Sequence, residues 1–369
     1  MTDNLPLRGL RVIEFCWVWS GPMIGQHLAD LGADVIKVEW YKRYDLYRMR
    51  GVERLRGQMP ESIRRESSYA FQSLNRNKRG LAADLKRSEG LQVVKDLIAE
   101  SDILLENFTV GTLDRLGLTA GELNKLNEQL VVISLSATGR GSSIESLRSY
   151  GLMLSALGGF ENLITDESGD FVGSPTFVMS DPNAALFGLL AALAGTLHAR
   201  ENSAGATYEC SQVEAVASLV NTPARESSET AAIKGIFATA QGDYVAVEAP
   251  ASAELVPDAF TDWAQQTDTE ILLTTVHRNG GIATRVEPLG STERSETFQL
   301  TEVRQSMDHP VSGVHALIAT PWRIDGERPP IRQPAPRIGE HTDTILREVL
   351  GYSEVDIAAL RDAGVTSEL

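Results

Sequence analysis

The stretch "LRVIEFCWVWSGPMIGQHLADLGADVIKVE", residues 10–39, decides the fold class. Residues 10–19 form a mainly apolar run that is typical of a buried strand. Residues 20–32 continue as a turn and a helix, and residues 33–39 have the pattern of a second strand. Together they predict a β-α-β unit of the parallel-sheet type. The first strand is followed by "SGP" and not by GxGxxG, so the usual dinucleotide-binding fingerprint is absent.

Strand and helix patterns continue to alternate as far as about residue 140, which predicts an open, mostly parallel α/β sheet. Five prolines between residues 320 and 340 predict an extended return segment. The expected organisation is a large α/β domain over 1–200, a linker over 201–235, a smaller α+β domain over 236–305, and a return to the large domain over 306–369.

Composition restricts the class of protein. The chain has 369 residues and a formal net charge of −16, which argues against nucleic-acid and anionic membrane surfaces. A polyanionic ligand therefore requires a local basic pocket. Two cysteines, Cys16 and Cys210, fit a reducing cytoplasm. Residues 1–15 carry no apolar region of the signal-peptide type, so a signal peptide is not expected. The apolar stretch 184–197 is interrupted by Gly188 and Gly195 and is expected to be too short to span a bilayer.

Asp181 lies between an apolar run and an apolar helix in "PTFVMSDPNAALFGLLAALAGTLHAR", residues 175–200. One interpretation is an N-cap, because Asp is preferred there and Pro182 suits the first helical position. The other interpretation is a nucleophile, since free amide groups and the helix dipole would hold the carboxylate ionised. The local sequence leaves both interpretations open.

Three further motifs accompany these two stretches. "LNRNKRGLAADLK" places three basic residues beside two asparagines, "LLENFTVGTLDRLGL" follows a strand, and "RIGEHTDTILREVLGYS" lies near the end. In this order, the five motifs closely resemble the class III CoA-transferases, a family that includes carnitine CoA-transferase, formyl-CoA transferase and the 2-methylacyl-CoA racemases. The resemblance covers residues 7 to about 220, 233–248, and about 308 to the end.

The resemblance implies a Rossmann-like large domain, a small domain, and two chains that form an interlocked dimer. It also implies coenzyme A and acyl-CoA as substrates, with no metal. Asp181 matches the catalytic aspartate, which attacks a thioester and forms an aspartyl anhydride. The released CoA thiolate then attacks the aspartyl carbonyl, and an aspartyl-CoA thioester results.

The resemblance also implies which residues surround CoA. Lys78, with Arg76 and Arg79, would contact phosphates, although a solvated basic turn is the alternative. Asn107 and Phe108 match positions that hold the adenine and pantetheine part, and Arg115 matches a phosphate contact. The complete expected set is Val18, Trp19, Ser20, Asn77, Lys78, Arg79, Asn107, Phe108, Arg115 and Tyr150.

Departures from the family pattern bear on the reaction. Tyr150 stands where the racemases have a histidine, and an ordinary tyrosine pKa near 10 is too high to share an α-proton at neutral pH. Trp19 either packs in the core or lines an acyl pocket, in which case a bulky or aromatic acid is favoured. Residues 222–235 lack the glycine-rich loop of formyl-CoA transferase.

We therefore expect a CoA-transferase that exchanges CoA between carboxylic acids in the cytoplasm, with no nucleic-acid or membrane partner. The alternatives are an acyl-CoA racemase or isomerase of the same family, or one subunit of a heteromeric CoA-transferase paired with a homologous chain.

Overall fold

The computed structural model describes residues 5–164, 170–173, 178–220, 232–287 and 301–367. The chain divides into two compact units. One comprises Met1–Asn221 with Val303–Leu369, and the other comprises Thr222–Glu302. The small unit is inserted into the large one, and part of the segment expected to be a linker, 201–235, belongs to the large unit.

The large unit contains a six-stranded sheet in the order β3-β2-β1-β4-β5-β6, and each of its neighbouring pairs is parallel. The strands are β1 (Arg11–Phe15), β2 (Asp34–Glu39), β3 (Arg79–Ala82), β4 (Ile103–Glu106), β5 (Val131–Ser136) and β6 (Thr207–Ser211). This order is that of the doubly wound Rossmann fold, so the predicted fold class is confirmed. β6 lies inside the expected linker, and its pairing with β5 explains the shifted boundary.

Helices connect these strands and follow the last of them. They are α1 (Ser20–Asp30), α2 (Glu61–Arg64), α3 (Tyr69–Asn75), α4 (Ser88–Ala99), α5 (Thr112–Arg115), α6 (Ala120–Leu126), α7 (Gly151–Leu157), α8 (Ser180–Asn202) and α9 (Gln212–Val220). Short 3-10 helices span Leu46–Arg48, Glu53–Leu55 and Glu161–Leu163. α1 and α8 lie side by side on one face of the sheet, where they share a core with β1 and β5.

The longest helix of the described residues, α8, has 23 residues. By length and composition alone it could cross a membrane, so the expectation that this region is too short is wrong. One side of α8 is buried against the sheet and α1. A methyl group at Gly188 would come within 2.5 Å of Ile24 Cδ1 of α1, so this glycine permits the close approach of the two helices.

The small unit is α+β. The antiparallel sheet β7-β8-β9 consists of β7 (Ile233–Ala238), β8 (Tyr244–Ala249) and β9 (Ile282–Arg285), and α10 (Pro257–Gln265) and α11 (Thr269–Arg278) pack on it. β7 and β8 pair as an antiparallel hairpin.

The chain returns to the large unit through the hairpin of β10 (Arg304–His309) and β11 (Gly313–Ile318). Residues 319–341 then run without a regular helix or strand as far as α12 (Thr342–Glu348) and α13 (Glu354–Asp362). The extended segment lies beside β3, where the Asn77 N–H donates to the carbonyl of Gln333 at 3.1 Å. The proline-rich return is therefore extended, as the sequence predicts.

Candidate active site

The site lies where the strand order reverses, between the carboxyl ends of β1 and β4. In open parallel sheets this crevice is where ligands bind. The Asn107 side chain, just after β4, accepts a hydrogen bond from the Trp17 N–H and donates one to the Trp17 carbonyl, each at 2.8 Å. Phe108 packs edge-on against the Trp17 indole, with ring centroids 5.5 Å apart. Asn107 and Phe108 therefore shape the turn that follows β1.

The next residue of this turn has an unusual backbone. Val18 has φ of 72°, in the left-handed region that a β-branched residue rarely adopts. Its N–H donates to Asp45 Oδ1 at 2.9 Å, and Asp45 is fully buried. The same oxygen accepts the Tyr47 N–H at 2.9 Å. Strained backbone of this kind concentrates at functional sites.

Asp181 is the second residue of α8, and its carboxylate faces a different helix. The N-cap of α8 is Met179, and the start of α8 has no side-chain cap hydrogen bond. The Asp181 carboxylate instead accepts hydrogen bonds from the backbone N–H and the hydroxyl of Ser20, the first residue of α1. The interpretation of Asp181 as the cap of its own helix is wrong, because the carboxylate caps α1.

Burial and these hydrogen bonds act on the carboxylate in opposite directions. Burial raises the pKa of Asp181 from its ordinary value, while the two hydrogen bonds from Ser20 lower it. Gly151, at the start of α7, leaves the space that the carboxylate occupies, since a methyl group there would lie 2.1 Å from Asp181 Oδ2. The carboxylate is thus fixed in place and more basic than a solvated one.

Tyr47 lies within electrostatic reach of Asp181 and of Tyr150, and Arg50 lies over its ring. Burial raises the pKa of the Tyr47 phenol, and the charges of Asp181, Asp45 and Tyr150 raise it further, although Arg50 acts to lower it. The Arg50 guanidinium lies over the Tyr47 ring, 5.2 Å from its centroid. Tyr150 precedes α7 and is 68% exposed, so its phenol is accessible.

Sequence patterns did not predict Asp45, Tyr47 or Arg50 as site residues. They belong to the aromatic and basic stretch "YKRYDLYRMR", residues 41–50, which directly follows β2. Side chains beyond the carboxyl end of a parallel strand are positioned near the ligand crevice. The position of these residues directly after β2 is therefore the feature of the sequence from which they could have been predicted.

An open groove of about 670 Å³ adjoins the Trp17 side of the turn. Its lining includes Trp17, Tyr41, Lys42, Arg43, Tyr44 and Arg65. The Arg43 guanidinium lies 5.8 Å from the centre of the Trp17 ring. Lys42 and Arg43 are exposed, so this groove offers the local positive charge that an anionic ligand of a strongly acidic protein requires.

The predicted role of Lys78 is contradicted by its burial. Its ammonium group is fully buried and donates to Glu14 Oε2 at 2.8 Å, to the Pro22 carbonyl at 2.8 Å and to Asn75 Oδ1 at 2.9 Å. These three partners account for its three donors. Burial lowers the pKa of Lys78 to about 8, although Glu14 acts to raise it. Lys78 is therefore part of the core, and a phosphate group cannot reach it in this structure.

The neighbours of Lys78 are also engaged within the protein. Arg76 is buried in an ion pair with Asp30 at 2.6 Å. The Asn77 side chain donates to Asp30 at 2.7 Å and accepts the N–H of Arg332 at 2.7 Å. Neither the predicted phosphate contacts nor the alternative of a solvated turn describes this segment, which instead holds the return segment in place.

Arg79 begins β3 and pairs with Asp34 at the start of β2. This ion pair directs the Arg79 guanidinium toward the amino edge of the sheet, whereas Asn107 and the turn after β1 lie at its carboxyl edge. The placement does not support the predicted contact of Arg79 with CoA, which stays a prediction. Arg115, at the end of α5, is exposed and donates to Thr112 Oγ1 at 2.8 Å, so its guanidinium remains accessible.

Glu14, Lys37 and Lys78 form a buried charge cluster beneath the site. Lys37 pairs with Glu14 and with Asp45, each at 3.1 Å. Burial acts to lower the pKa of Lys37, but Glu14 and Asp45 outweigh it and raise the pKa. Glu14 thus joins two lysines, and Lys37 connects this cluster to the aspartate that holds Val18.

Comparisons with known proteins show which family the chain is similar to. The model of CoA-transferase family III matches residues 7–252 and 237–342. The chain is 26% identical to a succinyl-CoA:glutarate CoA-transferase of Mus musculus, over 98% of this chain and 91% of that protein. It is 27% identical to the beta subunit of a succinyl-CoA–L-malate CoA-transferase of Chloroflexus aurantiacus, over 99% of each chain. It is 25% identical to a formyl-CoA:oxalate CoA-transferase of Rhodopseudomonas palustris, over 98% of this chain and 97% of that protein.

A solved structure shows the same fold. The crystal structure of a CAIB/BAIF family protein from Brucella suis superimposes with a TM-score of 0.80 and 22% sequence identity, over 94% of this chain and all of that one. The family match spans most of the sequence and confirms the resemblance drawn from the five motifs. The chain belongs to CoA-transferase family III and is a class III CoA-transferase.

Proposed function

We propose that this enzyme exchanges CoA between two carboxylic acids with Asp181 as the covalent nucleophile. The observation that carries the proposal is the Asp181 carboxylate, which is held by the N–H and hydroxyl of Ser20 at the start of α1. The amide groups at a helix start and the helix dipole favour negative charge there. Partial burial makes the carboxylate more basic, which suits a nucleophile.

The exchange proceeds in balanced steps. An Asp181 oxygen attacks the thioester carbonyl of the donor, the C–S bond breaks, and CoA leaves as the thiolate. The thiolate then attacks the aspartyl carbonyl of the mixed anhydride, which releases the donor acid and leaves an aspartyl-CoA thioester. The acceptor carboxylate repeats these steps in reverse. Ser20 donors are suited to stabilise the oxyanion that forms at the aspartyl carbonyl.

The groove beside Trp17 is the proposed position of the charged part of CoA. Lys42 and Arg43 replace Lys78 and Arg79 as the phosphate contacts, because their cations are exposed at the carboxyl edge of the sheet. Arg115 remains a proposed contact. Trp17 lines the groove and Ser20, three residues later, binds Asp181, so a thioester extending along the turn reaches the nucleophile.

A second chain is part of the proposal. α8 exposes an apolar row of four residues, namely Leu186, Phe187, Leu190 and Leu197. α7 exposes Leu152, Met153 and Leu157. Apolar area of this extent is typical of a protein interface. An interlocked homodimer covers it, and the similarity to a beta subunit supports a homologous chain as the alternative partner. A cytoplasmic location is the accompanying expectation.

The proposal also concerns the kind of carboxylic acid that the enzyme uses. Trp19 is half-buried at the N-cap of α1, next to Ser20, where it can form a wall of the acyl pocket. This placement is compatible with the bulky or aromatic acid expected from the sequence.

The decisive experiment is Asp181→Asn. Asn retains an oxygen that accepts the Ser20 N–H, so we expect the melting temperature to stay within a few degrees. It cannot form an anhydride, so CoA exchange should fall by several orders of magnitude. Incubation of the wild-type enzyme with an active acyl-CoA and hydroxylamine should give a hydroxamate at residue 181 in the mass spectrum. Exchange activity retained by a folded Asn variant would rule out this mechanism.

A further inference from the structure

The hydroxyl of Ser180, the residue before the proposed nucleophile, joins two helices. Ser180 is fully buried, and its Oγ donates at 2.8 Å to the carbonyl of Gly151, 29 positions earlier in the chain. Gly151 is the first residue of α7, and Ser180 is the first residue of α8. Because a buried hydroxyl is unfavourable without a partner, this hydrogen bond holds the two helix starts together.

The start of α7 also lies directly against the Asp181 carboxylate. A methyl group at Gly151 would come within 2.1 Å of Asp181 Oδ2, 2.3 Å of Val178 Cγ1 and 2.8 Å of Ser180 Oγ. These distances are shorter than a van der Waals contact, so no side chain separates the Gly151 backbone from the carboxylate. The carboxylate thus has Ser20 of α1 as its donor and the backbone of α7 as its cover.

The position of α7 depends on contacts with its neighbours. The helix has seven residues, and an isolated helix of that length is unstable in water. At its far end, Gly158 packs against α9, where a methyl group on Gly158 would lie 2.8 Å from Cγ1 of the buried Val216. α7 is therefore held by α9 at its end and by Ser180 at its start, and the start is the part that covers Asp181.

The burial of Asp181 has an electrostatic consequence. Burial is the largest influence on this carboxylate and raises its pKa, while the two hydrogen bonds from Ser20 act against it. Among the described residues, no neighbouring charge contributes to this shift. Tyr47 is within electrostatic reach, but burial raises the pKa of its phenol, so Tyr47 stays neutral where a carboxylate titrates. Movement of α7 away from Asp181 would therefore lower the pKa of the carboxylate.

We propose that Ser180 is a positioning residue that holds α7 over Asp181 and so protects the covalent intermediate from water. This inference rests on the proposed function. In the mixed anhydride, water competes with the CoA thiolate and attacks the acyl carbonyl, and the C–O bond to Asp181 breaks. The products are the Asp181 carboxylate, the carboxylate of the free acid and two protons, one of which the CoA thiolate takes up. The net result is hydrolysis of the acyl-CoA, a side reaction that an enclosed site suppresses.

The test compares hydrolysis with exchange. Net release of CoA thiol measures hydrolysis, and incorporation of a labelled acid into its own CoA thioester measures exchange. Acetate, succinate and benzoate are each tried with their thioesters, and the acid that the wild-type enzyme exchanges fastest is used. We expect Ser180→Ala to raise the ratio of hydrolysis to exchange by about tenfold or more. The acid limb of kcat/KM for exchange should move to lower pH, because less burial lowers the pKa of Asp181.

A second variant and two controls accompany this measurement. Gly151→Ala keeps the Ser180 hydroxyl but forces α7 and the carboxylate apart, so it should raise the same ratio, and it carries the test if Ser180→Ala does not fold. Ser101→Ala is the matched control and should keep the wild-type ratio, because Ser101 is also buried and its Oγ donates to the Leu97 carbonyl at 2.6 Å. Asp181→Asn should abolish hydrolysis together with exchange, because both pass through the anhydride.

The outcomes separate this inference from the proposed function. A wild-type ratio of hydrolysis to exchange in the folded variant overturns the inference and leaves Asp181 as the nucleophile. An acid limb that stays in place or moves to higher pH in Ser180→Ala does the same, as does an equal rise of the ratio in Ser101→Ala. If the wild-type enzyme exchanges none of the three acids and gives no hydroxamate at residue 181, the proposed function and this inference are overturned together.

Discussion

The N–H of Val18 donates to Oδ1 of the buried Asp45, 27 positions later in the chain, and Val18 has φ of 72°. A left-handed backbone costs a β-branched residue roughly 1–3 kcal/mol, so something in the surroundings has to maintain it. Asp45 is held in turn by Lys37 and by the N–H of Tyr47. The turn between β1 and α1 directs Ser20 toward Asp181. It is thus maintained by Asp45 and by the buried charge cluster of Glu14, Lys37 and Lys78.

We predict that Asp45→Ala lets this turn relax and lowers kcat by about tenfold or more, because the displaced Ser20 donors no longer meet Asp181. The KM for CoA thioesters should change less than kcat. Steady-state kinetics on variants that remain folded by circular dichroism will measure this.

A compensating substitution gives a sharper control. Glycine adopts positive φ without strain, so Val18→Gly in the Asp45→Ala background should recover part of the lost melting temperature. If the double variant is no more stable than Asp45→Ala alone, Asp45 does not act through the Val18 backbone.

Ser20 should set the acid limb of the pH profile. In the proposed mechanism the Asp181 carboxylate must be ionised to attack, and the Ser20 hydroxyl lowers the pKa of that carboxylate. Removing the hydroxyl in Ser20→Ala raises the pKa, so the acid limb of kcat/KM should move to higher pH. Ser73→Ala is a suitable control, since Ser73 Oγ donates within α3 and does not contact Asp181. If the acid limb of kcat/KM does not move in Ser20→Ala, a group other than Asp181 sets that limb.

The β-α-β unit of residues 10–39 was predictable because its strands are buried on both faces and appear as apolar runs. β3 was not, since it has four residues, "RGLA", and is too short to show a period. Because β3 was not recognised in the sequence, Lys78 and Arg79 were assigned to a free turn. Their position at the start of a strand puts Arg79 at the amino edge and Lys78 in the core.

Asp181 was located from the sequence, but its partner was not. A cap on its own helix and a cap on α1 have the same local sequence, and only the packing of α8 beside α1 distinguishes them. Arg50 and Asp45 were missed for a similar reason. They lie in irregular backbone, where periodicity gives no information.

Lys78→Ala should reduce stability and leave ligand affinity unchanged. The substitution removes one of the two lysines paired with buried Glu14, and breaking such a pair costs about 3–5 kcal/mol in the free energy of unfolding. Urea unfolding measures the loss, and calorimetry with CoA on the folded protein should show the wild-type affinity. A normal midpoint with weakened CoA binding would restore Lys78 as a phosphate contact.

Arg43→Ala, in contrast to Lys78→Ala, should leave stability unchanged and weaken CoA binding. Arg43 is exposed in the groove beside Trp17, so its removal should leave the urea midpoint within experimental error. Loss of a charged hydrogen bond to a phosphate should weaken CoA binding by about 1.5–3 kcal/mol. Arg54→Ala, an exposed arginine outside the groove lining, provides the comparison. Unchanged affinity in calorimetry would exclude the groove as the phosphate site.

The last prediction concerns the exposed side of α8. Leu190 is 64% exposed and Leu197 is 63% exposed, on the side of the helix that does not pack against the sheet. If a second chain covers them, Leu190→Glu buries a charge in an apolar interface, which is strongly unfavourable without a partner. We expect the wild-type protein to show a dimeric mass in light scattering at micromolar concentration, and the variant to shift toward the monomer. Val355→Glu on α13 is the control, because Val355 is 77% exposed and lies on a different helix. A wild-type monomer would contradict self-association, and mixing it with a homologous chain would then test the heteromer.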